Sequence, residues 1–178
     1  VVIRYVKYMG GMLHGDMGVS YVSKTDVFDT YMEKLPATIK LSFASILVSV
    51  LLSVPLGIYS ATKQGTLQDN ISMVLAMIGL SMPNFWLGLL LIIAFSLNMF
   101  PSGGDQTLSS IVLPALTIGT GLMATLTRTT RSSMLDVLKQ EYLRTARAKG
   151  IPEKIVVMSH ALRNALIPII TIIGTQLA

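Results

Sequence analysis

Three long stretches of this chain contain no charged residue, and few folds admit that. Leu41–Tyr59 runs 19 residues, Ile71–Phe100 runs 30 and Ile111–Thr127 runs 17. At about 1.5 Å of helix per residue, roughly 20 apolar residues cross a hydrocarbon core about 30 Å thick. The runs therefore predict an all-α polytopic membrane protein. Charged residues make up 13% of the 178, about half the usual share of a soluble domain, so intrinsic disorder is excluded as well. There is no cysteine, which removes thiol catalysis, redox CxxC chemistry and thiolate zinc sites.

Span boundaries follow from the flanking residues. Thr38 and Lys40 extend the first run to the interface, giving a span over about 38–59. The second, 71–100, is too long for one straight crossing, and Pro83 within Ser81-Met82-Pro83-Asn84 is expected to kink or break it. The third covers 111–127, with Pro114 in its first turn. Residues 165–178 form 14 apolar residues that read as the start of a further span. Val1 is not an initiator methionine, so the chain reads as a fragment of a larger protein. Ahead of the spans, residues 1–37 are polar and glycine-rich. There Val27, Phe28, Tyr31, Met32 and Leu35 suggest a short amphipathic helix, capped by Thr25 or Asp26 and ended by Pro36.

Charge then orients the spans. Arg128–Arg163 holds eight basic and three acidic residues, a surplus equal to the net charge of +5 of the whole chain. Under the positive-inside rule this segment is cytoplasmic. The connection 60–70, with Lys63, falls on the same side. Residues 101–110, without Lys or Arg, fall outside, as do residues 1–37. A pI near 9.6 could suggest a nucleic-acid binder, but uncharged runs of this length argue against one.

Small polar residues recur along the spans. Ser42, Ser45, Ser49, Ser53 and Ser60 form one narrow stripe, with Gly57 beside it. Thr117, Thr120, Gly121, Ala124 and Thr127 share a face of the third span. Two readings stay open for both. Small residues let helices approach closely in lipid, or they form the hydrophilic wall of a pathway. Met82, Pro83 and Asn84 pose the same choice, since a broken helix can line a substrate path. Ser45, Ser49, Ser53, Met82, Pro83, Asn84, Thr117 and Thr120 are the pathway candidates. No full span carries an ionisable group in its middle, which disfavours a proton relay or voltage sensor.

Within the basic segment, residues 139–163 predict a helix, a glycine turn and a second helix leading into the membrane. Glu141 suits a first turn and Lys149 a last one. Gly150 can take the left-handed position that closes a helix, and Pro152 with Glu153 can open the next. Ile151, Ile155, Val156 and Met158 add apolar anchors. Three roles compete for this knob: a DNA-binding helix-turn-helix, a topology determinant facing anionic lipid, and a docking element for a partner protein. Its place between spans disfavours the first, and the apolar anchors favour the third.

Here TARAKG at 145–150 and HALRNALIP at 160–168 resemble the EAA loop of ABC importer permeases, most closely the dipeptide/oligopeptide/nickel branch. GDMGVSY at 15–21, LPAT at 35–38, GLSMPNFWLGLLL at 79–91, LPALT at 113–117 and TRSSMLDVL at 130–138 are similar to that branch, in order along nearly the whole chain. Against the general EAA pattern only Ala146, Gly150 and Leu162 match literally. Arg144 and Thr145 stand where it has Glu and Ala.

The resemblance implies a multi-pass permease domain over 38–178 in the cell (inner or plasma) membrane of a prokaryote. It implies a second permease subunit, two cytoplasmic ATPase subunits and an extracytoplasmic substrate-binding protein as partners, with membrane lipid around the spans and no nucleic acid. Arg144, Thr145, Ala146, Arg147 and Lys149, then Gly150, Ile151, Pro152, Ile155 and Met158, are the residues it implies for coupling to the ATPases. Dipeptides, longer peptides, nickel and glutathione are cargo of similar permeases. ATP hydrolysis would reside in the partners, and no cofactor is expected on this chain. Catalytic sequences such as HExxH, GxSxG or Walker A are missing, and His14 with Asp16 makes an incomplete metal site. The alternative from another class is a channel or structural membrane protein without an ATPase, for which the 139–163 knob would have no use.

Overall fold

The computed structural model describes residues 2–95 and 108–177. The expected outside connection 101–110 and the end of the 71–100 run therefore fall largely outside the described residues. Two compact units divide the chain, Val1–Lys40 and Leu41–Ala178.

In the first unit, helix α1 (Val2–Leu13) is followed by a tight turn. Gly15 and Gly18 take φ of 83° and 79°, and the Asp16 carboxylate accepts from the Gly18 N–H at 3.0 Å. Val19 and Asp26 form an isolated antiparallel bridge. Helix α2 (Val27–Thr62) then begins where the sequence predicts. Asp26 Oδ1 accepts from the N–H groups of Phe28 and Asp29 at 2.8 and 3.3 Å, so Asp26 is the cap.

Pro36 does not end this helix, contrary to the sequence reading. A proline removes one backbone donor and crowds one carbonyl, but neighbours can keep the helix going. The Thr38 hydroxyl donates to the Lys34 carbonyl at 3.2 Å, and the helical residues run on without a break. The expected boundary at 37/38 therefore lies inside a helix.

The second unit is built on a long central helix, α5 (Leu108–Leu138). It starts before residue 111 and continues past 127, so Pro114 sits inside the helix rather than in its first turn. The 41–62 part of α2 packs on it, and so do α3 (Leu67–Ser81), α4 (Asn84–Phe95) and α8 (Leu162–Leu177). Helix α3 begins four residues earlier than expected because Thr66 caps it, accepting from the Asp69 N–H. Pro83 breaks the second run outright, and the α3 and α4 axes differ by 99°. Among the described residues three helices are long and apolar enough to cross a membrane: Val27–Thr62, Ser109–Leu138 and Glu153–Leu177. The bent α3–α4 pair would make a fourth.

Glycines set how closely these helices approach. A β-carbon added at Gly57 would lie 2.6 Å from the Thr130 Cβ, one at Gly79 2.6 Å from the Thr120 carbonyl oxygen, and one at Gly119 2.8 Å from the Ser45 carbonyl oxygen. Such backbone-level contact is how helices associate where lipid supplies no hydrophobic drive between them. The serine stripe lies in the same seam. Ser45, Ser49, Ser53 and Ser60 are fully buried, and the Ser53 hydroxyl donates across it to the Met123 carbonyl at 3.2 Å.

One ion pair ties the basic end of the seam together. Arg131 on α5 reaches Asp69 on α3 with Nε–Oδ1 at 2.8 Å and Nη2–Oδ2 at 2.7 Å. The Ser60 hydroxyl at the end of α2 and the Gly65 N–H also donate to this carboxylate. The Asp69 side chain is 4% exposed, so its charge rests on these four donors. Arg131→Leu leaves a buried carboxylate unpaired and should cost about 3 kcal/mol or more. The double change Asp69→Asn/Arg131→Leu should recover part of that loss. Thermal unfolding of the purified variants in detergent checks the order; a double variant less stable than Arg131→Leu would contradict it. Gly119→Val should lower the amount of folded protein in membranes, whereas Gly174→Ala, with open space around it, should not.

Candidate functional site

The basic segment folds into a compact knob. Helix α6 (Glu141–Ala148) turns Leu143 and Ala146 inward and leaves Arg144, Thr145 and Arg147 exposed. Gly150 takes φ of 77°, its N–H bonds the Arg147 carbonyl at 2.9 Å, and the Ile151 N–H bonds the Ala146 carbonyl at 3.3 Å. These two bonds are the paired closure of a Schellman motif, which needs a residue tolerant of positive φ at 150. A β-carbon at Gly150 would meet nothing within 4 Å, so the requirement is conformational rather than spatial.

Beyond the turn the chain re-enters helix at once. Helix α7 (Glu153–Ile155) passes into a π-helical segment, Val156–Ala161, and then into α8. The apolar run expected from residue 165 is thus the later part of one helical stretch starting at Glu153. Arg147 and Glu153 close the turn from the outside with two bonds, Nε–Oε2 at 3.0 Å and Nη2–Oε1 at 2.9 Å. The hydrogen bonds it donates to the Glu153 carboxylate raise the guanidinium's already high pKa.

The knob has its own core. Leu143 and Ala146 pack with Met134, Val156, Val157, Ala161, Ala165 and Ala61. Two expected contact residues therefore face inward: Ala146 is 9% exposed and Val156 is fully buried. Val156 is therefore not an exposed apolar anchor, and Ala146 lies behind the open face of α6; both hold the knob to the helices. Ile151 is half-buried against the same core. Arg144, Thr145, Arg147, Lys149, Pro152, Ile155 and Met158 are exposed, so a basic helix face and two apolar side chains remain open to a partner. Beside them lies a groove of about 690 Å³ between α2, the end of α5 and the knob, lined by Val54, Ile58, Leu138, Met158 and Leu162, with Lys63 and Lys154 among its walls.

The pathway candidates do not gather into one lining. Ser45, Ser49 and Ser53 are sealed within the α2–α5 seam, so within this chain the stripe is a helix contact and not a pathway wall. The Ser49 hydroxyl finds no hydrogen-bond partner among the described residues, nor do those of Thr127 and Thr130. Thr117 and Thr120 bond their own helix at the carbonyls of Leu113 and Thr117. Asn84, at the start of α4, lies against this face of α5, its Oδ1 3.2 Å from the β-carbon position of Gly121. Met82 is extended and half-buried, while Pro83 and Asn84 are exposed at the break. No cluster of three His, Cys, Asp or Glu able to hold a metal occurs among the described residues. The Asp69–Arg131 pair escaped the sequence reading, because its members are 62 positions apart and Asp69 lay in what reads as a polar connection.

Comparison with known proteins places this architecture. The family model for "Binding-protein-dependent transport system inner membrane component" matches residues 53–178. The chain is 44% identical to the oligopeptide transport system permease protein AppB of Bacillus subtilis, aligned over 98% of this chain and 60% of that protein. It is 34% identical to the dipeptide transport system permease protein DppB of Escherichia coli, over 97% and 61%. It is 42% identical to the glutathione transport system permease protein GsiC of Pectobacterium atrosepticum, over 97% and 57%. The chain thus spans about 60% of the length of these relatives. With the family match covering most of its length and every membrane-length helix but part of α2, the chain belongs to the binding-protein-dependent transport system inner membrane components.

Proposed function

We propose that this chain forms part of a permease subunit of an ATP-driven importer, one half of the pathway for peptides or a peptide-like solute. It works beside a second permease subunit, takes its cargo from an extracytoplasmic binding protein, and is driven by two cytoplasmic ATPases. The observation that carries this reading is the knob at 141–158. A short basic helix is held on its own core, closed by Gly150, and joined without a break to a membrane-length helix. A channel has no use for such an element. A transporter powered from outside its own sequence needs one, and the uncharged runs carry no ionisable group in their middle to power it otherwise.

In this mechanism the ATPases grip the exposed face of α6 and the side chains of Ile155 and Met158. Movement of the grip displaces α6, and the packed core against Met134 and Ala165 passes that displacement to α5 and α8. Oligopeptides, dipeptides and glutathione, named for the relatives, share a peptide backbone, which makes that backbone the common feature for the pathway to accept.

Gly150→Val tests the docking role. Valine adopts positive φ poorly, so the Schellman closure opens and Ile155 and Met158 leave their places relative to α6. Loss of a central anchor weakens an interface by about 2 kcal/mol, roughly thirtyfold in affinity. Expected are normal membrane levels, little ATPase recovered on affinity purification and no peptide uptake. Full ATPase recovery and uptake would sink the assignment. Orientation has its own check: a cysteine at Lys149, in a segment with no native cysteine, should resist an impermeant thiol reagent in intact cells and react in inverted vesicles. Labelling in intact cells would reverse the topology.

A further inference from the structure

Beside the packed core, two sets of side-chain hydrogen bonds fasten α6 to the chain that follows it, one on either side of the π-helical backbone. The first is the Arg147–Glu153 pair at the glycine turn. The second joins the opposite end of α6 to the base of α8. Asn164 Nδ2 donates to the Tyr142 hydroxyl oxygen at 2.6 Å and to the His160 carbonyl at 3.2 Å, and the Tyr142 hydroxyl donates to the same carbonyl at 3.4 Å. Tyr142 stands in the first turn of α6 and Asn164 in the first turn of α8, 22 positions on. Between the two attachments run α7 and the π-helical residues Val156–Ala161.

A π-helical turn is rare, occurs mostly as a single turn within α-helices, and is frequent at functional sites. Here its closing bond runs from the Leu162 N–H to the Val157 carbonyl, one residue wider than in an α-helix. If α6 were joined to α8 only through this segment and the Gly150 turn, a push on α6 could be absorbed by rewinding it. The Tyr142–Asn164–His160 bonds bypass the segment, running from the start of α6 directly to the end of the π turn and the start of α8.

We propose that Tyr142 and Asn164 are positioning residues forming a latch that carries the displacement of α6 into α8 across the π-helical segment. This rests on the importer reading above. It differs from docking: the latch does not hold the ATPase but adds to the packed core a direct bonded link by which its movement reaches the membrane helix. The phenolic ring of Tyr142 serves as a spacer and its hydroxyl as the hinge pin, and Asn164 supplies both remaining hydrogens.

The assembled transporter, reconstituted in vesicles with its binding protein and a peptide, separates the two roles. Peptide accumulated per ATP hydrolysed is measured for the wild type, Tyr142→Phe, Asn164→Ala, the double variant and Asn164→Asp, together with the ATPase retained on purification. Each single variant should keep the ATPase at the wild-type level yet lose about fivefold in peptide per ATP, within the range of coupling changes. The double variant should be no worse than the poorer single one, because either change opens the same latch. Asn164→Asp should recover much of the loss, since the tyrosine hydroxyl can donate to the new carboxylate. A general loss of structure would show no such recovery. Wild-type peptide per ATP in both single variants, or losses that multiply in the double variant, would overturn the latch. Loss of the ATPase from Tyr142→Phe would overturn it too, making Tyr142 a docking contact and leaving the importer reading intact.

Discussion

A single buried carboxylate decides how the basic end of this molecule is put together. Asp69 accepts from four donors in three places: the end of α2, the turn after it, and two of the nitrogens of one guanidinium on α5. Charge is expensive to bury, and this group is stable only where all its donors arrive together. The pair therefore sets the register of α3 against α5. The glycines then allow the approach that the register demands, Gly79 against Thr120 and Gly57 against Thr130. Met134, one turn beyond Arg131 on α5, sits in the core of the knob. The ion pair and the core of the knob thus meet on one helix, α5.

That arrangement explains the division of polar residues along the spans. Serines and threonines are spent inside helix contacts, where a hydroxyl takes little more room than a methyl and can bond a carbonyl of its own or the facing helix. What is left facing outward is largely apolar, with Phe43, Leu47, Leu51, Phe85, Leu89 and Ile93 among the exposed side chains. In water such a surface would aggregate; against lipid, or against further helices of a larger assembly, it is the expected exterior.

The sequence was most legible where one residue type has one physical use. Uncharged runs mark membrane helices, a Thr25–Asp26 pair marks the start of α2, and a glycine between a basic last turn and a proline takes the left-handed conformation at 150. It was least legible where the outcome depends on a neighbour. Pro36 reads as a stop, but Thr38 and an uncharged continuation carry the helix through. The serine stripe reads as seam or as wall until α5 is laid against it. Val156 looks like its neighbour Ile155, yet one is buried and the other half exposed, because the register of the π-helical segment decides which faces in. Asp69 with Arg131, and Tyr142 with Asn164, are pairs whose members mean little until the fold brings them together.

The central claim is that the exposed face of α6 is where an ATPase takes hold. A photo-crosslinking amino acid at Thr145, exposed on that face, tests it most directly in the assembled transporter. Irradiation should give one dominant protein adduct, with an ATPase subunit, and its yield should change with nucleotide. An adduct only with lipid or with another membrane subunit would contradict the account.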